Sequence, residues 1–128
     1  MASRVLSILV FTAVLGALGA VFLWVPTERE MGIVQRIFYF HVPAAMTAFT
    51  AFFVVFVASV VYLKTQHEHW DRIALGAAEL GVLFSAINLI TGPLWAKPVW
   101  GVYWRWEPRL TTMLITFSMY VAYLMIRA

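Results

Sequence analysis

The side chains with the greatest capacity for chemistry fall in one run near the C-terminal end. Trp95-Ala96-Lys97-Pro98-Val99-Trp100-Gly101-Val102-Tyr103-Trp104-Arg105-Trp106-Glu107-Pro108-Arg109-Leu110-Thr111 holds four of the chain's six tryptophans. An aromatic belt at a membrane interface accounts for one or two such rings near a helix end. It does not account for Trp95, Trp100, Tyr103, Trp104 and Trp106 beside Lys97, Arg105 and Arg109. Aromatic faces stack on flat apolar ligands, and guanidinium or ammonium groups pair with carboxylates. The composition therefore predicts a site for a flat, apolar, anionic ligand, and haem, a plane with propionates, has that combination. Gly101 would let the backbone approach such a ligand closely. Pro98 and Pro108 would stiffen the segment, and Pro108 also suits a helix start.

His41 is the candidate iron ligand. It lies in Phe38-Tyr39-Phe40-His41-Val42-Pro43, where Pro43 fits the first turn of a helix and the aromatics would exclude water. Imidazole is a common axial ligand of haem iron. Position alone would make His41 an interfacial polar residue, so the assignment depends on which compartment it shares with the tryptophans. His67 and His69 offer no obvious third ligand for a metal and read as a solvated connection.

The elements that must position these groups are membrane helices. The chain has 128 residues, of which 63% are hydrophobic and 12% charged, and its mean hydropathy is +0.87. A soluble domain of this size could not hide so much apolar surface. There is no cysteine, hence no disulfide or thiolate chemistry, and the formal charge of +3 includes no basic run suited to nucleic acid. Four apolar stretches, about 5–25, 41–63, 73–90 and 110–126, approach the length needed to cross a bilayer. Backbone groups in lipid must pair within a segment, so these are helices despite their Val and Ile. The expected architecture is an all-α bundle of four spans in one domain, 1–128, with a tryptophan-rich loop over 91–109. A retained first span is preferred to a cleaved secretory signal because its apolar run is long. Met31–Phe40 reads as a short amphipathic helix on the membrane surface, the alternative being a solvated loop.

Four spans place the connection before span 2 on the same side as the connection before span 4. His41 therefore faces the same compartment as Trp95–Arg109, whichever way the chain is inserted. Arg4 and the compact Lys64–Arg72 connection favour cytoplasmic termini, with Met31 and Val102 outside, although the basic residues are too evenly divided for the positive-inside rule to decide. Ala78, Gly81, Ser85 and Asn88 recur at helical spacing as a small, polar packing face. Glu79 lies off that face and reads as structural or partner-facing rather than as a proton relay.

Two separated runs, Tyr39-Phe40-His41-Val42-Pro43-Ala44-Ala45 and Trp100-Gly101…Trp104…Trp106-Glu107…Arg109-Leu110-Thr111, with Thr91-Gly92…Trp95…Lys97-Pro98 between them, resemble the cytochrome c-maturation protein C family (CcmC, haem exporter protein C). That family belongs to a haem-handling superfamily marked by a tryptophan-rich "WWD" segment, and the resemblance spans about Arg36 to Thr111. It implies haem b held at the periplasmic face of the bacterial inner membrane, with His41 as an axial ligand and Trp100, Trp104 and Trp106 as the platform. It further implies delivery to a periplasmic haem chaperone (CcmE-like). The other implied partners are a small single-span protein (CcmD-like) and ABC-transporter subunits (CcmA/CcmB-like). On this basis the chain is a transfer component, not an enzyme. Glu107 stands where the motif usually has Asp, and Tyr103 replaces a Trp. The family typically has two further spans with a second axial histidine between them, whereas no histidine follows His69 here; the expectation is a truncated form or fragment, the alternative being that another chain supplies the missing half. The competing readings are a cytochrome c synthase-type haem attachment protein and a haem-free membrane packing subunit.

Overall fold

The computed structural model describes residues 2–127 and is helical throughout its spans. Helix α1 (Ala2–Gly19) runs into a π-helical turn, Ala20–Trp24. A connection and a 3-10 turn, Ile33–Ile37, lead into α2 (Phe38–Thr65). Helix α3 (Glu68–Trp100) and helix α4 (Pro108–Arg127) complete the chain. Four helical segments, Ser3–Trp24, Ile33–Thr65, Glu68–Trp100 and Pro108–Arg127, are long and apolar enough to cross a membrane. The protein is an all-α, multi-pass membrane protein, as its sequence predicts.

The centre of the fold is the antiparallel α2–α3 hairpin. Its turn is minimal. Gln66 takes a left-handed conformation (φ 55°) and donates its N–H to the Tyr62 carbonyl at 2.7 Å. Its side-chain amide adds bonds to the Tyr62 and Leu63 carbonyls, so two of the four orphan carbonyls of the helix end are satisfied. Helix α3 starts after His67 with Glu68 and Asp71 in its first turn, where the helix dipole favours acids. The buried faces are built from small side chains: Ala44, Ala48, Ala51 and Ala58 on α2, and Ala74, Ala78, Gly81, Ser85, Gly92 and Ala96 on α3. In lipid, where apolar burial provides little drive, close backbone approach is how helices associate. Gly81 shows how tight the fit is: a Cβ there would sit 2.5 Å from Phe52 Cε1. Phe52 in turn stacks on Tyr120 of α4, centroids 4.1 Å apart at 14°. At the turn end, Arg127 of α4 pairs with Asp71 of α3.

Three boundaries differ from the sequence expectation. The third span does not end near residue 90. Helix α3 continues unbroken to Trp100, so the loop expected over 91–109 shrinks to residues 101–107. Its 33 residues give a rod of about 50 Å, well beyond the roughly 30 Å hydrocarbon layer. Pro93 and Pro98 lie inside it; each lacks an N–H to donate four residues back, but the helix does not stop there. It ends where Gly101 turns left-handed (φ 75°), its N–H bonded to the Lys97 carbonyl at 2.9 Å. Gly101 is thus the helix cap. The second correction concerns α2, which begins at Phe38, so Pro43 lies inside the helix past its first turn, while His41 falls in that first turn. The third concerns Met31–Phe40. It is not a separate amphipathic surface helix: Ile33–Ile37 is a 3-10 turn that feeds directly into α2. Before it, the Glu28 carboxylate accepts the N–H groups of Met31 (2.6 Å) and Glu30 (3.0 Å), closing a turn at Gly32.

Helix α1 is exposed along nearly all its length. Its π turn touches the start of α2 through Phe22, which meets Phe40 at 6.0 Å and lies under the Arg36 guanidinium. Glu79 is exposed on α3, consistent with a surface turned toward lipid or another chain.

Candidate functional site

The end of the hairpin opposite the Gln66–His67 turn opens into a cavity of about 340 Å³ between α2, α3 and α4. Phe38, Val42, Ala45 and Phe49 of α2 and Leu110 and Met113 of α4 make its apolar wall. Trp95 and Trp100 of α3 stand on the other side, their rings edge to face at 5.5 Å and 83°. The polar groups reaching it are few: His41, Asn88 and Arg109. An apolar pocket with a small number of placed polar groups is the usual form of a small-molecule site.

His41 is the half-buried polar centre of this cavity. Its Nδ1 lies 3.0 Å from Thr91 Oγ1, and its main-chain oxygen accepts the Asn88 side-chain amide at 3.1 Å. Gly92 leaves room for the ring, since a Cβ there would come within 3.3 Å of His41 Cε1. Thr91 itself donates to the Ile87 carbonyl at 2.8 Å. Asn88, Thr91 and Gly92 share one face of α3 because they are three and four residues apart.

Of the seven residues singled out in the sequence, the structure brings His41, Trp95, Trp100 and Arg109 to one cavity. Tyr103, Trp104 and Trp106 are not part of its lining. They sit in the 101–107 connection, where Trp104 and Trp106 meet edge to face at 5.6 Å and Trp106 is 78% exposed. The connection is tied back by its cations. Arg105 lies over the Trp100 ring at 5.4 Å, Lys97 lies over Tyr103 at 5.1 Å, and Lys97 Nζ donates to the Gly101 carbonyl at 2.9 Å. Arg109 donates to Glu107 at 2.8 Å, at the mouth of the cavity. Two indole N–H groups, those of Trp95 and Trp104, are buried with no acceptor among the described residues. Buried donors are normally satisfied, and that of Trp95, which lines the cavity, is available to an acceptor brought by a ligand. His67 and His69 are exposed at the far end of the hairpin. Among the described residues no cluster of His, Asp or Glu could hold a metal ion by itself.

Comparison with known proteins identifies the family. Residues 1–128 match the family described as CcmC, heme exporter protein C. The chain belongs to the CcmC family. Heme exporter protein C of Rhodobacter capsulatus is 39% identical over 103 residues, which is 80% of this chain and 43% of that protein. A putative cytochrome c biosynthesis ccmC-like mitochondrial protein of Marchantia polymorpha is 39% identical over 100 residues, 77% of this chain and 44% of its own length. Heme exporter protein C of Escherichia coli K12 is 35% identical over 96 residues, 75% of this chain and 39% of the relative. This CcmC-family chain thus spans less than half the length of the curated relatives it matches.

Sequence reasoning missed the partners of the histidine. Asn88 was legible as part of a packing face, but not as a neighbour of His41. A usable signal was nevertheless present. With a turn as short as Gln66–His67, residues equally distant from it on α2 and α3 must face each other. Counting outward pairs Phe52 with Gly81 and His41 with Gly92, and both are the close approaches observed in this CcmC-family fold.

Proposed function

We propose that this chain is a haem-binding membrane component of cytochrome c maturation, with haem as its cargo. The observation that carries the reading is the convergence of His41, Trp95, Trp100 and Arg109 on a single apolar cavity at one end of the bundle, in a chain of the CcmC family. The residues fit the cargo. Two indole faces and an aliphatic wall suit an apolar plane. The orphaned N–H of Trp95 is a donor in search of an acceptor. Arg109 uses two of its five donors on Glu107, leaving others for a propionate. Haem iron, when bound, supplies a Lewis-acidic centre for an imidazole, and His41 is the imidazole in this cavity.

In this reading haem b is held at the extracytoplasmic face of the bacterial inner membrane and passed to a periplasmic haem chaperone of the CcmE type. A small single-span protein of the CcmD type and ABC-transporter subunits of the CcmA/CcmB type are the expected neighbours. The chain acts as a binding and transfer component rather than as an enzyme. The names of the relatives, heme exporter protein C and cytochrome c biosynthesis protein, support this assignment. The test is haem content after purification from membranes. The intact chain should retain haem, and His41→Ala should reduce occupancy on the order of tenfold or more while the protein remains inserted. Equal occupancy in the two proteins would refute the site.

A further inference from the structure

We propose that Thr91 and Asn88 are positioning residues, Thr91 holding His41 as its Nδ1–H tautomer and Asn88 holding its backbone and ring face, so that Nε2 alone can bind a metal from the cavity. The inference rests on the haem reading for the identity of the metal centre, but not for the tautomer.

The number of hydrogens available between Thr91 and His41 sets the tautomer. Thr91 Oγ1 is 2.8 Å from the Ile87 carbonyl and 3.0 Å from His41 Nδ1. A carbonyl only accepts, and a hydroxyl has one hydrogen to give. That hydrogen is committed along the helix, with the Asn88 carbonyl at 3.4 Å as a weaker second acceptor for it. The lone pairs of Thr91 therefore face the imidazole, and Nδ1 must be the donor. A neutral imidazole with hydrogen on Nδ1 carries its free lone pair on Nε2. The opposite tautomer would require Thr91 to donate to Nδ1. It would forfeit the bond to Ile87 and block Nε2 with a hydrogen.

Asn88 does not compete for Nε2. Its Nδ2 is 3.4 Å from Nδ1 and 3.5 Å from Nε2, nearly equidistant. A donor lying in the ring plane on one lone pair would be about 2 Å farther from the other nitrogen. The amide therefore sits over the ring face, and its directed bond goes to the His41 main-chain oxygen at 3.1 Å. Gly92 seats the ring edge against the α3 backbone. Backbone, ring face and Nδ1 are thus all held by one surface of α3, and the remaining ring atom with bonding capacity is Nε2. Second-layer partners of this kind fix tautomer and orientation in metal-binding histidines generally, and their loss costs roughly 10–100-fold in affinity.

The experiment is nitrogen NMR of the full chain, labelled with 15N-histidine and reconstituted in lipid without haem. The His41 signals are identified by their absence in His41→Gln. The wild type should show a protonated Nδ1 and an unprotonated Nε2. Thr91→Val, similar in shape but without lone pairs, should shift the tautomer balance toward Nε2–H and lower haem retention on the order of tenfold. Thr91→Ser should preserve both. A wild-type His41 in the Nε2–H form would overturn the proposal, as would a Thr91→Val protein with an unchanged tautomer. The first reading uses no substitution, so a variant that fails to insert does not remove the test. A wild-type Nδ1–H signal in a protein that takes up no haem would sink the haem reading and leave the tautomer assignment standing.

Discussion

Gly81→Ala is the substitution whose consequence follows most directly from the packing. Alanine is the better helix former by about 1 kcal/mol, so an exposed glycine in α3 would be stabilised by the change. Gly81 is buried, and the new methyl would lie 2.5 Å from Phe52 Cε1 and 2.7 Å from Cδ1. Ordinary carbon contacts are about 3.5–4.0 Å, so the ring must retreat by roughly 1 Å. It cannot do so freely, because the ring is stacked on Tyr120, centroids 4.1 Å apart. Overpacking of this kind costs about 1–3 kcal/mol, which equals or exceeds the propensity gain. The expected net destabilisation is about 0–2 kcal/mol, arising from α2–α3 separation or from a broken Phe52–Tyr120 stack. Reversible unfolding in mixed detergent would measure it, combined in a double-mutant cycle with Phe52→Leu. The narrower, flexible leucine should absorb the methyl, so the two substitutions should couple by about 1 kcal/mol or more. Because the same hairpin register brings His41 to Gly92, Gly81→Ala should also lower haem retention. If Gly81→Ala costs the same in the Phe52→Leu background as in the wild type, the clash is not the cause and the reasoning fails.

Four further outcomes are expected. Replacing Trp95 and Trp100 together by Ala should remove most of the haem from purified protein, whereas replacing Trp104 and Trp106 should cost less, since only the first pair lines the cavity; haem content at matched membrane insertion decides this, and equal losses would place both pairs at the ligand. The chain by itself should bind haem through one histidine, giving an absorption spectrum with an open or water-filled opposite axial site. His67 and His69 lie at the far end of the hairpin and cannot reach, so a low-spin bis-histidine spectrum insensitive to His41→Ala would contradict the ligand assignment. Single cysteines at Met31 and Val102 should label with an impermeant reagent from the periplasmic side and one at His67 only from the cytoplasm, with labelling of position 67 from outside reversing the orientation. Glu28 is the group with a legible pH response. Backbone N–H bonds, chiefly from Met31 and then Glu30, hold its carboxyl below the usual carboxylate value. A depressed carboxylate contributes to folding above its ordinary pKa and loses that contribution as pH falls through the folded value. Amide exchange at Met31 should therefore lose protection at acid pH in the wild type and show no such pH step in Glu28→Gln.

Much of the architecture was legible in the residues because lipid leaves the backbone few choices. Four apolar stretches had to be helices, and parity alone put His41 and the tryptophans at the same end. At the level of residue type, indoles, cations and one histidine pointed to a flat, apolar, anionic ligand, and the proposed function builds on that expectation. The boundary of α3 was not legible. In a soluble helix Pro93 and Pro98 signal a break, because each ring crowds the carbonyl four residues back and leaves it without its helical donor. In a membrane helix, neighbouring groups and small local adjustments satisfy it, so the helix ran on until Gly101 capped it. That single extension moved Trp95 and Trp100 from a loop onto a helix and separated them from Tyr103, Trp104 and Trp106. The partners of His41 also required the tertiary structure. Thr91 and Asn88 are distant in sequence and reach the imidazole only because the Gln66–His67 turn sets the hairpin register and the small faces of α2 and α3 let the backbones close. Which hydrogen lies on which ring nitrogen depends on distances of about 3 Å between two helices, and no spacing within one helix encodes them.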